Sequence, residues 1–228
     1  MIEDEGRVRT TDENENEAEP CRHTRAEIEA GLKRMLAEAE ETRARALRGL
    51  VSIYVRTYRP TDAVPYLRRL LATTEDPEEQ AEHLLTLGQL MEQGGDLPAA
   101  VEFYTRGLAL QVGAEGVRYL LHNNLGYCLN QFGRYGEAEP LCRAAIALDA
   151  ERYNAQKNLG VALEGQGRYA EAAQCYVQSI RRNPGDPRAL RHLETMLARH
   201  PEVTAAAADL PATLEACRAL AGPGRWVQ

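Results

Sequence analysis

Residues 153–184 read YNAQKNLGVALEGQGRYAEAAQCYVQSIRRNP. Leu159, Gly160 and Leu163 fall at i, i+1 and i+4, the apolar stripe of a helix. Ala172, Tyr176 and Ile180 keep a four-residue spacing on a second helical segment. Gly167 stands between the two, where the first helix must stop, because glycine enters the left-handed region without a Cβ clash. Pro184 ends the second segment, which a proline cannot continue. Gly160 and Ala172 are small enough to let the two helices approach closely, with a tyrosine filling the space beside them. The stretch predicts a helical hairpin.

The hairpin has copies upstream. Asn158-Leu159-Gly160 returns as Asn124-Leu125-Gly126 and as Thr86-Leu87-Gly88. The turn Gly167-Arg168-Tyr169 returns as Gly133-Arg134-Tyr135 and Gly95-Asp96-Leu97, each followed by an alanine: Ala172, Ala138 and Ala100. Glycine and alanine landmarks agree on the offsets, 34 residues between the last two copies and 38 between the first two. Two landmarks with one period mark an internal repeat. A weaker fourth copy runs through Leu47, Leu50, Val51, Tyr54, Ala63 and Leu67, with Val51 in the glycine position and Tyr58-Arg59-Pro60-Thr61 as its turn. The longer spacings place extra residues around 112–116 and near Thr73–Gln80, both between repeats.

These residues resemble the tetratricopeptide repeat family, whose pattern is W-x₂-L-G-x₂-Y…A-x₃-F…P. Gln156, Leu159, Gly160, Leu163, Ala172, Tyr176 and Pro184 carry it most fully. His122, Leu125, Gly126, Leu129, Ala138 and Cys142 follow it with Ala150 in place of proline, and Leu84, Leu87, Gly88, Met91, Ala100 and Tyr104 supply a third unit. The resemblance implies an all-α, right-handed α–α superhelix with four units at about 43–76, 81–114, 119–152 and 153–186. Stacked repeats need covered ends. An N-terminal capping helix is expected over 23–42, opened by the Thr24–Glu27 capping box and carrying Ile28, Leu32, Met35, Leu36 and Ala39. Over 187–222 a fifth first-helix continues through Leu190, Leu193 and Leu197 until Pro201, and a closing helix follows at 211–220 with Leu214, Cys217 and Leu220. Residues 1–22 form an acidic tail expected to be disordered, and 223–228 a short second tail.

In that family the first helices line a concave groove that binds extended peptides. Carried over position by position, the groove set is Asn123, Asn124, Tyr127, Asn130, Gln131, Asn154, Lys157, Asn158, Glu164, Arg188, Arg191 and His192. Asn158 and Arg188 match two positions of the family's carboxylate clamp, but Asn123 and Tyr127 stand where the clamp needs lysine and asparagine. Asn124 and Asn158 are equivalent on successive first helices, so they should stand about 10 Å apart and hold a peptide backbone as two rungs of a ladder. The other reading keeps each asparagine bonded within its own hairpin.

Composition narrows the function. The hydrophobic fraction is 44% and the charged fraction 27%, as in soluble globular chains. Of the net charge of −7, residues 1–20 hold eight acids against two bases, so the repeats themselves are almost neutral. That disfavours a nucleic-acid partner, and an RNA-binding repeat is the least favoured reading. Only Ser52 and Ser179, and only Lys33 and Lys157, occur, which removes a Walker phosphate loop and most serine chemistry. Gly165-x-Gly167-x-x-Ala170 spells a dinucleotide fingerprint, but it closes a helical hairpin rather than following a strand. His83, His122, His192 and His200 have no metal-ligand spacing. Five scattered cysteines fit reduced, packed thiols, with Cys128 and Cys142 as core neighbours, and hence a reducing compartment. No apolar run reaches membrane-spanning length and the first residues lack a secretory pattern, so the expected location is cytoplasmic. The expectation is a non-enzymatic adaptor without metal or cofactor, binding a protein or extended peptide, an acidic one among the candidates. A self-assembling homo-oligomeric scaffold is the alternative.

Overall fold

The computed structural model describes residues 24–35, 40–57, 59–206 and 209–221. Both expected tails, Leu36 and Ala39 of the expected capping stripe, and Cys21 lie outside these residues. The chain divides into two units, residues 1–46 and 47–228.

The first unit holds α1 (Arg25–Met35) and the start of α2 (Glu40–Arg56). The Thr24–Glu27 box closes in both directions: the Thr24 N–H donates to Glu27 Oε2 at 2.7 Å, and the Glu27 N–H donates to Thr24 Oγ1 at 3.3 Å. No residue of α1 is buried.

The second unit takes up the rest of α2 and continues as α3 (Pro60–Thr73), α4 (Pro77–Gln93), α5 (Leu97–Ala109), α6 (Glu115–Gln131), α7 (Tyr135–Leu148), α8 (Tyr153–Gly165), α9 (Tyr169–Arg182), α10 (Pro187–Arg199), α11 (Pro201–Ala206) and α12 (Leu210–Ala221). Helices α4/α5, α6/α7 and α8/α9 pack as hairpins, and α4, α6, α8 and α10 touch in succession. The extra residues leave the helices at 74–76 and 110–114, and the second loop is tied down where the Gly113 N–H donates to Glu78 Oε1 at 2.6 Å.

Each hairpin turn is built the same way. Gly95, Gly133 and Gly167 sit at φ +81°, +70° and +77°, where a side chain is strained. At the last turn the Gly167 N–H donates to the Glu164 carbonyl and the Arg168 N–H to the Leu163 carbonyl, both at 2.9 Å, which satisfies the free C-terminal carbonyls of α8. Starts differ by sequence. Asp76, Asp96 and Asp186 cap α4, α5 and α10 with their carboxylates, each with a proline in the first turn. Arg134 and Arg168 occupy the cap of α7 and α9 without capping, and pair instead with Glu137 and Glu171.

Pro201 was expected only to break the fifth first-helix; it also opens the six-residue α11, since proline suits a first helical turn. Val203 from α11, Leu210 and Cys217 from α12 are buried in one core with Leu193, Met196 and Leu197 of α10. The small residues do close the hairpins. A Cβ on Gly160 would stand 2.6 Å from the buried Tyr176 ring, one on Gly88 closer still to Tyr104, and one on Gly126 2.8 Å from Cys142 Sγ. Cys128, Cys142 and Cys175 are free thiols that burial pushes up to about 12, 12 and 11, so thiolate is scarce at neutral pH.

One ionic cluster ties consecutive hairpins. Glu139 on α7 accepts from Arg143, from Arg168 at 2.8 and 2.9 Å, and from Gln166 at 3.0 Å. Desolvation works to raise its pKa, but the bonds from Gln166, Arg143 and Arg168 prevail and hold it at about 2. A carboxylate depressed on folding stabilises the protein above its unfolded value, and that contribution is lost as pH falls from 4.5 toward 2. Glu139→Gln should therefore cost on the order of 1–2 kcal/mol at pH 7, after discounting for solvent screening, with the wild type converging on the variant through that acid window. Denaturation at pH 7, 4 and 2.5 checks it; a constant gap would remove Glu139 from the acid response.

Candidate functional site

The four successive helices α4, α6, α8 and α10 bring their equivalent positions onto one face. Two tyrosines on the second helices, Tyr104 of α5 and Tyr176 of α9, are tied to it by one design. Tyr104 OH donates to Glu92 Oε2 at 2.9 Å and Tyr176 OH donates to Glu164 Oε2 at 2.6 Å, each from the second helix of a hairpin to the first. The middle hairpin has Cys142 and Asn130 at those two positions and no such bond, and Asn130 donates to the Asn158 carbonyl on α8 at 2.8 Å instead.

Three asparagines of the expected groove set are packed inside the array. Asn123, Asn130 and Asn158 are buried, at 7%, 5% and 3% exposure. Asn158 Nδ2 donates to Asn123 Oδ1 at 3.0 Å, and Asn123 Nδ2 donates to Asn124 Oδ1 at 2.9 Å. Asn124 Nδ2 reaches Tyr104 OH at 3.4 Å. Asn158 and Asn130 bond between neighbouring first helices, Asn123 bonds within its own helix to Asn124, Asn124 reaches α5 of the preceding hairpin, and Asn130 Oδ1 is buried without a partner, so bonding within each hairpin does not describe the set. For Asn158 and Asn130 the cause is close packing: an amide donor with no room for water must find a protein partner, and the nearest one lies on an adjacent repeat.

The remaining expected residues divide by exposure. Tyr127, Asn154 and Glu164 are half-buried, Lys157 is buried, and Gln131, Arg188, Arg191 and His192 are exposed. Arg188 is held by Asp186, with Nη2 at 2.6 Å and Nε at 2.9 Å, and reaches Asn154 Oδ1 at 3.4 Å. His192 stacks on the Tyr176 ring with centroids 5.5 Å apart. Desolvation there, reinforced by Lys157, Arg191 and Arg188, lowers its pKa despite Glu164, which favours the neutral imidazole.

Arg188, Arg191, His192 and Glu164 meet in a cavity of about 590 Å³ between α8 and α10. Tyr135 and Tyr169, from the two Gly-Arg-Tyr turns, form its aromatic wall, and Tyr135 lies against the backbone at Gly165. His200 stacks on Tyr169 at 3.7 Å. Thr195 and Arg199 complete the α10 side, one and two helical turns beyond Arg191. Among the described residues neither Arg191 nor Arg199 has an ion-pair partner, whereas Arg188 does. Sequence reading missed Tyr135 and Tyr169 because they served as turn spelling, and missed Thr195, Arg199 and His200 as site members. The i, i+4, i+8 spacing of Arg191, Thr195 and Arg199 was the available signal. Among the described residues no cluster of histidine, cysteine or carboxylate could hold a metal ion, and no helix is long and apolar enough to cross a membrane.

Models of the tetratricopeptide repeat match residues 118–184, and 48–115 together with 157–219. No curated protein matches the chain. Among solved structures, MamA from Desulfovibrio magneticus RS-1 is 22% identical with a TM-score of 0.62, over 75% of this chain and 93% of that one. Another crystal structure of MamA is 20% identical with a TM-score of 0.59, over 74% and 92%. YrrB, described as a TPR protein with an unusual peptide-binding site, is 21% identical with a TM-score of 0.60, over 74% and 84%. At these identities the likeness is one of fold.

Proposed function

The chain belongs to the tetratricopeptide repeat family, a fold of protein-interaction scaffolds, and from that premise we propose that its concave face between α8 and α10 holds an acidic segment of a protein partner. The observation that carries this reading is the pair of guanidiniums, Arg191 and Arg199, turned into a 590 Å³ cavity without carboxylates of their own. An unpaired guanidinium offers five donors in a fork that fits a carboxylate. The rings of Tyr135 and Tyr169 add apolar area beside it, so the segment should carry an aromatic or aliphatic side chain next to its acids. The raised thiol pKa values fit a binding rather than a thiol-catalytic role.

The test is fluorescence anisotropy with a labelled Glu- and Phe-containing peptide and its Gln counterpart. The acidic peptide should bind more tightly at low salt, and Arg191→Glu with Arg199→Glu should weaken it about tenfold while the array stays folded. Equal affinity for both peptides, or an unaffected double variant, would remove the cavity as the binding site. Sedimentation across a concentration series separates self-assembly: an oligomer whose formation abolishes peptide binding would transfer the groove to a second copy.

A further inference from the structure

The chain carries two lysines against twenty-five arginines. Lys33 is exposed on α1 and bonded to Glu29 at 2.7 Å. Lys157 lies mid-way along α8 and is 7% exposed. Among the described residues its ammonium makes no hydrogen bond and no ion pair, and it is not one of the fully enclosed polar atoms that lack a partner. The stem is therefore packed while the tip keeps a narrow opening to solvent. A buried ammonium without a counter-ion is rare, because burial disfavours charge.

The groups that surround it are engaged elsewhere. From α10 and its cap come Arg188, His192 and Asp186, from α7 the Cys142 thiol, and from α4 the Glu92 carboxyl. Asp186 is bound by Arg188 at 2.6 Å and caps the Arg188 N–H at 3.0 Å, while Glu92 accepts the Tyr104 hydroxyl. None of these acids reaches ion-pair distance of Lys157. Burial first, and Arg188 second, push the amine down to about 8, against the opposing pull of Asp186, Cys142 and Glu92. Roughly a tenth of it is then free amine at pH 7, against well under a thousandth for an ordinary lysine near 10.4.

We propose that Lys157 is an acylation site for small activated acyl donors of the acyl-phosphate class, and that its acylation lowers the positive charge beside Arg188 and His192, which line the cavity. The Nζ lone pair attacks the carbonyl carbon, the C–N bond forms, and the C–O bond to phosphate breaks with its electrons leaving on inorganic phosphate. The Nζ proton passes to water, and the product is a neutral amide. Acylation here costs no ion pair, because Lys157 has none, and it ends the burial of an uncompensated charge. The effect on ligand affinity rests on the reading of the groove as an acidic-segment site; the reactivity does not.

The probe is acetyl phosphate on the full chain, followed by site-resolved mass spectrometry. Lys157 should acetylate roughly tenfold faster than Lys33 at pH 7, since its larger free-amine fraction outweighs its lower basicity. Its rate should level off above pH 8, where an ordinary lysine continues to rise. Lys33 labelling as fast as Lys157, or a Lys157 rate still climbing at pH 10, overturns the proposal without need of any variant. Fully acetylated protein should bind the acidic peptide severalfold more weakly; unchanged affinity overturns the gating half. If unmodified protein fails to bind that peptide, the groove reading falls while the labelling result stands.

Discussion

Gly160→Ala is expected to destabilise the α8–α9 hairpin by a net 2–3 kcal/mol, roughly, which for a chain of this size lowers its melting transition by about 5–10 °C. The new methyl would meet three atoms of the Tyr176 ring at 2.6, 2.7 and 3.0 Å. That ring is fully buried and its hydroxyl is fixed on Glu164, so it has nowhere to turn. The better helix propensity of alanine returns only about 1 kcal/mol. Gly165→Ala is the control. A methyl there would crowd the Tyr135 ring at least as closely, but Tyr135 is half-buried and can swing out, so propensity and clash should roughly cancel. Because repeats touch only their neighbours, hydrogen exchange in Gly160→Ala should rise first over α8 and α9. Equal losses at Gly160 and Gly165 would show that ring mobility does not set the cost.

Asn158→Ala is expected to cost on the order of 2–4 kcal/mol and to leave affinity for an acidic peptide within about twofold. The side chain is 3% exposed and donates to Asn123 Oδ1 at 3.0 Å, so truncation strands a buried acceptor on the neighbouring helix. Urea denaturation beside the anisotropy assay separates the two effects. A stable Asn158→Ala protein with lost affinity would restore this asparagine to the groove as a ligand contact.

Most of the architecture was legible because the landmarks are chemical necessities. Gly95, Gly133 and Gly167 are needed by positive φ, and Gly88 and Gly160 by a tyrosine ring. α11 was not legible: among its described side chains only Val203 is buried, too few for a periodicity to show, and Pro201 opens a helix as readily as it stops one. The site was legible only in outline. Asn124 and Asn158 are equivalent in the repeat, yet one is half-buried beneath a tyrosine hydroxyl and the other sealed against Asn123. Register tells which face a residue occupies, but not how near the next helix comes. The same limit hid the wall made by Tyr135 and Tyr169, which the repeat spacing presents as turn residues and three-dimensional stacking turns toward α10.

The bond from Asn130 to the Asn158 carbonyl gives the repeats a fixed order. The hairpins that own a tyrosine and a glutamate satisfy that pair by themselves, as Tyr104 with Glu92 and Tyr176 with Glu164 do. The middle hairpin lacks the pair and spends its amide on its successor. Excising residues 119–152 would preserve the 34-residue phase but remove both bonds across this junction, from Asn130 to the Asn158 carbonyl and from Asn158 to Asn123. The units are therefore not interchangeable bricks: gain or loss of a repeat by unequal recombination would be tolerated at the outer junctions before it is tolerated at this one.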